Sequence, residues 1–202
     1  MSPRPYQLGK RQDQIEEGRR RITDAARSLL AETDSYRAFT IDAVAKKANV
    51  AKATIYYQFE SKTGLLEAVC DALAEAGGMA ELAAVFTNPD PMAALRAFVR
   101  AFGRFWDADR PAMRRLRALA ALDPEVRSVI SARDSRRRMG VTVLAGRLAE
   151  QGDKTNQTAP EDLARALYVL TSFETFDALA DPGTALTDVI DDVIRLTEAV
   201  VG

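Results

Sequence analysis

Apolar residues recur along this chain at intervals of three and four, and strict alternation of apolar and polar positions never persists. That period is helical, so an all-α fold is expected. Residues 1–18 are polar and carry Pro3, Pro5, Gly9 and Gly18, which predicts a flexible arm. A first helix is expected from about Arg19 to Glu32, with Ile22, Ala25, Ala26, Leu29 and Leu30 inward. Thr40 then caps a short helix bearing Ile41, Val44, Ala45 and Ala48. Asn49 falls where that helix must stop, and Asn follows Gly as the choice for a left-handed helix end. A second short helix is expected from about Ala51 to Phe59, and Ser61 caps another over 62–82. In the back half, Asp90-Pro91, Asp109-Arg110-Pro111, Asp123-Pro124 and Thr158-Ala159-Pro160 each set a capping residue just ahead of a first-turn proline. They predict helices near 91–107, 110–121, 124–150 and 160–180. Asp181-Pro182-Gly183 ends the last of these, and Thr184 opens a final helix to about Val200. The total is about nine helices, and "GDKTNQT" (Gly152 to Thr158) is the loop of loosest composition.

Composition narrows the function classes. The chain has 202 residues, 47% hydrophobic and 28% charged, an ordinary globular balance. Net charge is −1, so no global nucleic-acid signature exists, but residues 1–60 hold eleven Lys/Arg against eight Asp/Glu. A mildly basic front and an acidic back suggest two roles. Cys70 is the single cysteine, which rules out an internal disulfide and fits a reducing cytoplasm. No uncharged run is long enough to span a membrane, and the basic N-terminus lacks the apolar segment of a signal peptide. The absence of histidine removes the commonest general base and metal ligand. Carboxylates alone rarely make a zinc site, and here they recur at the spacing of solvated helix faces. Neither catalysis nor a cofactor or metal is expected.

"TIDAVAKKANVAKATIYYQF" has the pattern of a DNA-reading helix–turn–helix. The second helix packs inward through Ile55 and Phe59, one turn apart on one face. Lys52, Thr54, Tyr56 and part of Tyr57 then face outward, beside Ala51 at the helix start. A helix in the major groove reads base edges from its early residues. Thr54 suits a base or a thymine methyl, and Lys52 a base or a phosphate. Tyrosine hydroxyls suit phosphate oxygens. Thr40 and Lys62 lie at helix N-termini, where N–H groups and the dipole favour phosphate. The candidate DNA-binding set is therefore Thr40, Ala51, Lys52, Thr54, Tyr56, Tyr57 and Lys62. Arg4, Lys10 and Arg11 of the arm suit a minor groove, but Asp13, Glu16 and Glu17 argue for a disordered tail instead.

"FTIDAVAKKANVAKATIYYQFESKTGLL", residues 39–66, preceded by "RRRITDAARSLLAE", strongly resembles the tetracycline-repressor-like (TetR) family of bacterial regulators. The resemblance covers about residues 19–68. Thr40, the Ala48-Asn49-Val50 element, the Tyr56-Tyr57-Gln58-Phe59 run and Lys62 stand at the family's spacing. Asn49 replaces the usual Gly of the turn, and Gln58 replaces the usual His. The resemblance implies a homodimer that binds a double-stranded DNA operator as a repressor. It also implies a helical C-terminal domain that binds a small effector. The expected division is residues 1–65 for the DNA-binding head and 66–202 for the effector and dimer domain.

"LRAFVRAFGRFWDAD" puts Leu95, Phe98, Phe102, Phe105 and Trp106 on one broad helix face. Such a face is ordinary core, and an aromatic bundle interior with a few polar groups is also how small-molecule pockets are built. Phe102, Trp106, Met113, Met139 and Phe173 are the candidates for lining a pocket, which would suit an apolar effector. Asp107, Glu174 and Asp177 look uncompensated and would suit a cationic one. The final helix carries a wide apolar stripe from Leu186 to Val201 that its own domain and a second copy could share. "DSRRRMG" (Asp134 to Gly140) reads as a solvated charge run. Two rival readings remain open: a dimeric helical adaptor that binds protein, and a family activator without a small-molecule ligand.

Overall fold

The computed structural model describes residues 4–32, 39–151 and 159–202, and for residues 4–11 the backbone alone. All regular structure among the described residues is helical: α1 (Arg4–Glu32), α2 (Ile41–Ala48), α3 (Lys52–Phe59), α4 (Lys62–Ala76), α5 (Leu82–Thr87), α6 (Pro91–Asp107), α7 (Arg110–Leu122), α8 (Pro124–Gln151), α9 (Pro160–Leu170), α10 (Phe173–Leu179) and α11 (Ile190–Val201). Short 3-10 turns at Met79–Glu81 and Leu186–Val189 precede α5 and α11.

The expected "about nine" helices become more because α5 forms beyond a helix that stops short and one long helix is broken. The helix expected over 62–82 stops at Ala76, and Gly78 follows in the left-handed region with φ 71°. The helix expected over 160–180 is interrupted at Thr171 and Ser172. There the Ser172 hydroxyl accepts from the Thr175 N–H and starts α10 afresh. Such hydroxyls offer the backbone local partners that compete with a continuous helix.

The arm is the clearest correction. The sequence predicts flexibility through Gly18, yet α1 is helical from Arg4. Pro5 stands in the first turn, where a missing N–H does no harm. Gly9 and Gly18 each cost a helix only about 1 kcal/mol. The expected loop over 152–158 lies outside the described residues.

The described residues form two compact units. One takes in residues up to Ala72 together with Arg114–Val129. Within it α1 packs on α2 and α2 on α3. Ile22, Ala26, Leu30, Val44, Ile55, Leu65, Leu66 and Val69 are fully buried. Each large aliphatic among them contributes about 1.5–3 kcal/mol by leaving water. The other unit takes in Leu73–Met113 and Ile130–Gly202. Its α6 packs against α5, α10 and α11, and α9 packs against α10 and α11. Leu186, Val189, Val193, Ile194 and Thr197 of the terminal stripe are buried inside this unit.

The link between α3 and α4 is tight. Glu60 has φ 65° and ψ −39°, and the Ser61 N–H donates to the Phe59 carbonyl at 2.7 Å, closing a γ-turn of the strained kind. The Ser61 hydroxyl caps α4 by accepting from the Gly64 N–H at 3.0 Å. A Cβ on Gly64 would lie 2.1 Å from the Phe59 carbonyl oxygen. Gly64→Ala must therefore push α4 away from the end of α3. The expected result in thermal or urea unfolding is a loss of about 1–3 kcal/mol, whereas an open helical glycine would gain stability on the same change.

Candidate nucleic-acid interface

Two caps set α3 on its scaffold. The Thr40 hydroxyl accepts from the Ala43 N–H at 3.1 Å and starts α2. Asn49 ends it in the left-handed region, with φ 54° and ψ 51°. The Val50 N–H donates to the Ala45 carbonyl at 3.0 Å, and the Asn49 N–H to Lys46 at 3.3 Å. These two bonds make a Schellman end, so Asn does here what Gly commonly does. Val50 itself is half-buried. The chain then turns directly into α3, whose Ile55 and Phe59 are buried.

Fixing that inner face determines the outer one. Tyr57 is 78% exposed and Tyr56 44%. Ala51 and Lys52 are exposed and Thr54 is half-buried at their side, while Thr40 is exposed at the start of α2. The structure therefore gathers Thr40, Ala51, Lys52, Thr54, Tyr56 and Tyr57 on and around one short helix. Gln58 lies differently. Its side chain is half-buried beside Gly18 of α1. The Arg19 guanidinium donates to the Gln58 carbonyl and lies 4.3 Å from the centre of the Phe59 ring.

Two lysines of the set have carboxylate partners. The Lys52 ammonium donates to Asp42 of α2 at 2.9 Å. That hydrogen bond, with the charge of Asp42, raises the Lys52 pKa above its usual value. Lys62, expected on phosphate, donates instead to Asp123 at 2.5 Å and lies 4.0 Å from Glu125, with about a quarter of each of the Lys62 and Asp123 side chains exposed. Asp123 also caps α8, accepting from the N–H groups of Glu125 and Val126 at 2.9 and 3.4 Å. Lys62 chiefly, and these N–H groups after it, hold the Asp123 carboxyl below the usual range. No feature of the sequence pairs residues so far apart. The α8 cap itself is legible in Asp123-Pro124.

In the second unit the predicted lining residues separate. Phe102, Trp106 and Phe173 join one aromatic cluster: Phe102 and Trp106 have ring centres 5.6 Å apart, and Trp106 meets Phe173 edge-on at 5.9 Å. Met113 is buried. Met139 is 62% exposed on α8, away from the interior its hydropathy suggests. Its neighbours Arg137 and Gly140 take the inward positions of that turn. Ser135, Arg136 and Arg138 are exposed, as the charge run suggests, and Arg137 is the charged exception. Its guanidinium donates to the Tyr168 carbonyl at 2.5 Å and to the Thr171 hydroxyl at 3.1 Å, stacking on the Tyr168 ring. A cation suits the carbonyl end of α9. The indole N–H of Trp106 donates to the Thr171 carbonyl at 3.1 Å. The acids expected to be uncompensated are engaged: Asp177 accepts from Arg110 at 2.6 Å and Asp107 from the Leu186 N–H at 2.7 Å. Glu174 has a partner as well.

A short helix turned outward from a capped scaffold helix, in an all-α chain, defines a helix–turn–helix protein. Comparison with known proteins narrows the class. Residues 22–69 match the family described as bacterial regulatory proteins, tetR family. The uncharacterised HTH-type transcriptional regulator YvkB of Bacillus subtilis (strain 168) is 50% identical over 50 residues, 25% of this chain and 26% of that protein. The match thus spans about a quarter of that relative's length. The TetR-family regulator PfmR of Thermus thermophilus is 24% identical, covering 87% of this chain and 96% of that one, with a TM-score of 0.66. The transcriptional regulator FadR of Bacillus subtilis, solved in complex with stearoyl-CoA, is 16% identical, covering 90% and 98%, with a TM-score of 0.65. Residues 22–69 are thus a tetR-family segment, and the chain has the fold of TetR-family regulators. No helix among the described residues is long and apolar enough to cross a membrane.

Asp123→Asn preserves the cap, since Asn caps as well as Asp, and removes the charge that Lys62 pairs with. At pH 7 the variant should be less stable by up to about 1 kcal/mol, the range of a partly exposed pair. The folded carboxyl titrates below its unfolded value, so the stabilisation is complete above the usual carboxylate range. It is lost as pH falls through the lowered folded value. Denaturation of both proteins from pH 7 to pH 2 should show the gap closing only at the acid end.

Proposed function

We propose that this protein is a dimeric, DNA-binding repressor of a palindromic operator, released by a small apolar effector. It is a regulator of the bacterial cytoplasm and performs no catalysis. The observation that carries the reading is the outward face of α3. Two adjacent tyrosines stand in water on a helix whose opposite side is buried by Ile55 and Phe59. Tyr56 and Tyr57 reach phosphate and sugar, while Thr54 and Lys52 address base edges. The exposed N-terminus of α2, with Thr40, takes a phosphate, and Lys62 reaches another by exchanging its tie to Asp123. Residues 1–65 act as the head and residues 66–202 as the effector and dimer domain.

Effector binding within the aromatic bundle around Phe102, Trp106, Met113 and Phe173 would favour a state unsuited to the operator. The signal travels along α4, α7 and α8, which contribute residues to both units. A hundredfold preference of ligand for the released state corresponds to about 2.7 kcal/mol. The stearoyl-CoA complex of FadR supports an apolar chain as the kind of effector this fold accepts. A second copy covers Val169 of α9, Leu179 of α10 and Leu196 of α11, which are apolar and exposed in the single chain. Two-fold pairing then presents two α3 helices to successive major grooves, about 34–36 Å apart.

Selection of bound sequences from random duplex DNA tests the reading. An inverted repeat is the expected product. Failure to enrich any sequence, with binding to an acidic protein surface instead, would favour the adaptor reading. Sedimentation tests the dimer separately. Leu196→Glu should shift the protein toward a monomer and weaken operator binding, while leaving its helical content unchanged.

A further inference from the structure

The Asp42–Lys52 pair is an oddity on a surface that meets a polyanion. Asp42 is the second residue of α2, one place past the Ile41 that follows the Thr40 cap. An acidic residue in a first turn complements the helix dipole. Lys52 is the first residue of α3. Their side chains are 71% and 49% exposed, so burial does not hold them together. The pair bridges the starts of the two helices that form the reading head.

An ammonium has three donors, and Asp42 takes one. While that bond is made it narrows the directions open to the other two, since a free lysine swings on four carbons. A lysine left free beside DNA moves to the nearest phosphate, a contact that carries no sequence information. A phosphate approaching Lys52 here also meets the exposed carboxylate of Asp42, whose charge repels it. To reach a guanine edge in the groove, it can keep Asp42 and donate onward.

We propose that Asp42 is a specificity-determining residue: by tethering Lys52 it directs that lysine to a base edge and withholds it from non-operator phosphate. This rests on the reading of the protein as a sequence-specific DNA-binding regulator. Asp42 touches no base itself in this arrangement; it is a positioning residue that acts through Lys52.

The test compares Asp42→Asn with the parent protein on a selected operator and on a scrambled duplex, by fluorescence anisotropy over a range of salt. The expected result is tighter binding to the scrambled duplex, with a salt slope steeper by about one, the contribution of one added phosphate contact. The ratio of operator to scrambled affinity should fall about tenfold, the discrimination of one well-oriented base contact. Thermal stability should hardly move, since an exposed pair contributes little. In a Lys52→Ala background, Asp42→Asn should leave that ratio unchanged. The proposal is overturned if Asp42→Asn leaves slope and ratio as they were, or alters the ratio equally with and without Lys52. If the parent protein discriminates no duplex at all, the functional reading fails rather than this inference.

Discussion

The whole arrangement depends on how α2 hands the chain to α3. A residue with a Cβ sits in the left-handed region at Asn49, and two backbone bonds close the end of α2 around it. Because the turn is short, the direction of α3 is set within three residues. Burial of Ile55 and Phe59 then fixes its rotation about its own axis. These two constraints, turn and rotation, leave Tyr56 and Tyr57 nowhere to go but outward. Both fall outside the narrow stripe that Ile55 and Phe59 share one turn apart. At the far end, the γ-turn at Glu60 and the missing side chain of Gly64 keep α4 close behind α3. A strained residue held in place by its surroundings is a usual companion of a functional surface.

Much of this is legible in the sequence because capping and periodicity are local. Thr40, Asp90, Asp123 with its proline, and the Ile55–Phe59 spacing announce their helices from the residues themselves. The left-handed end at Asn49 is equally readable. What the sequence withholds is non-local or balanced. The break at Thr171 and Ser172 depends on a hydroxyl choosing its backbone partner, and the propensities there favour neither outcome strongly. The helical stretch from Arg4 resembles a tail in composition, because the effect of a proline or glycine depends on where in a helix it falls and not on its number.

Long-range charge pairing is hidden for the same reason. Lys62 and Asp123 lie sixty-one residues apart, and each looks free when viewed along its own helix. Arg137 looks solvated within a run of charges, yet it is buried and holds the carbonyl end of α9 and the Thr171 hydroxyl. Arginine can be buried in this way because its long stem packs while its fork satisfies several acceptors at once. Met139, its hydrophobic neighbour, takes the outward place. In an interior of interlocked rings, hydropathy alone does not say which of two nearby residues turns inward.

Under the proposed function, the α2–α3 pair meets DNA and the aromatic bundle answers to a ligand. The central claim is that the outward face of α3 lies on a duplex. Hydroxyl-radical footprinting of the tyrosine side chains, with and without a bound operator duplex, tests it most directly. The account predicts strong protection of Tyr56 and Tyr57 and little change at Tyr168, which stacks on Arg137 and Arg138. If Tyr56 and Tyr57 stay as reactive in the complex as in the free protein, while other surface residues are shielded, the duplex binds elsewhere and the account is wrong.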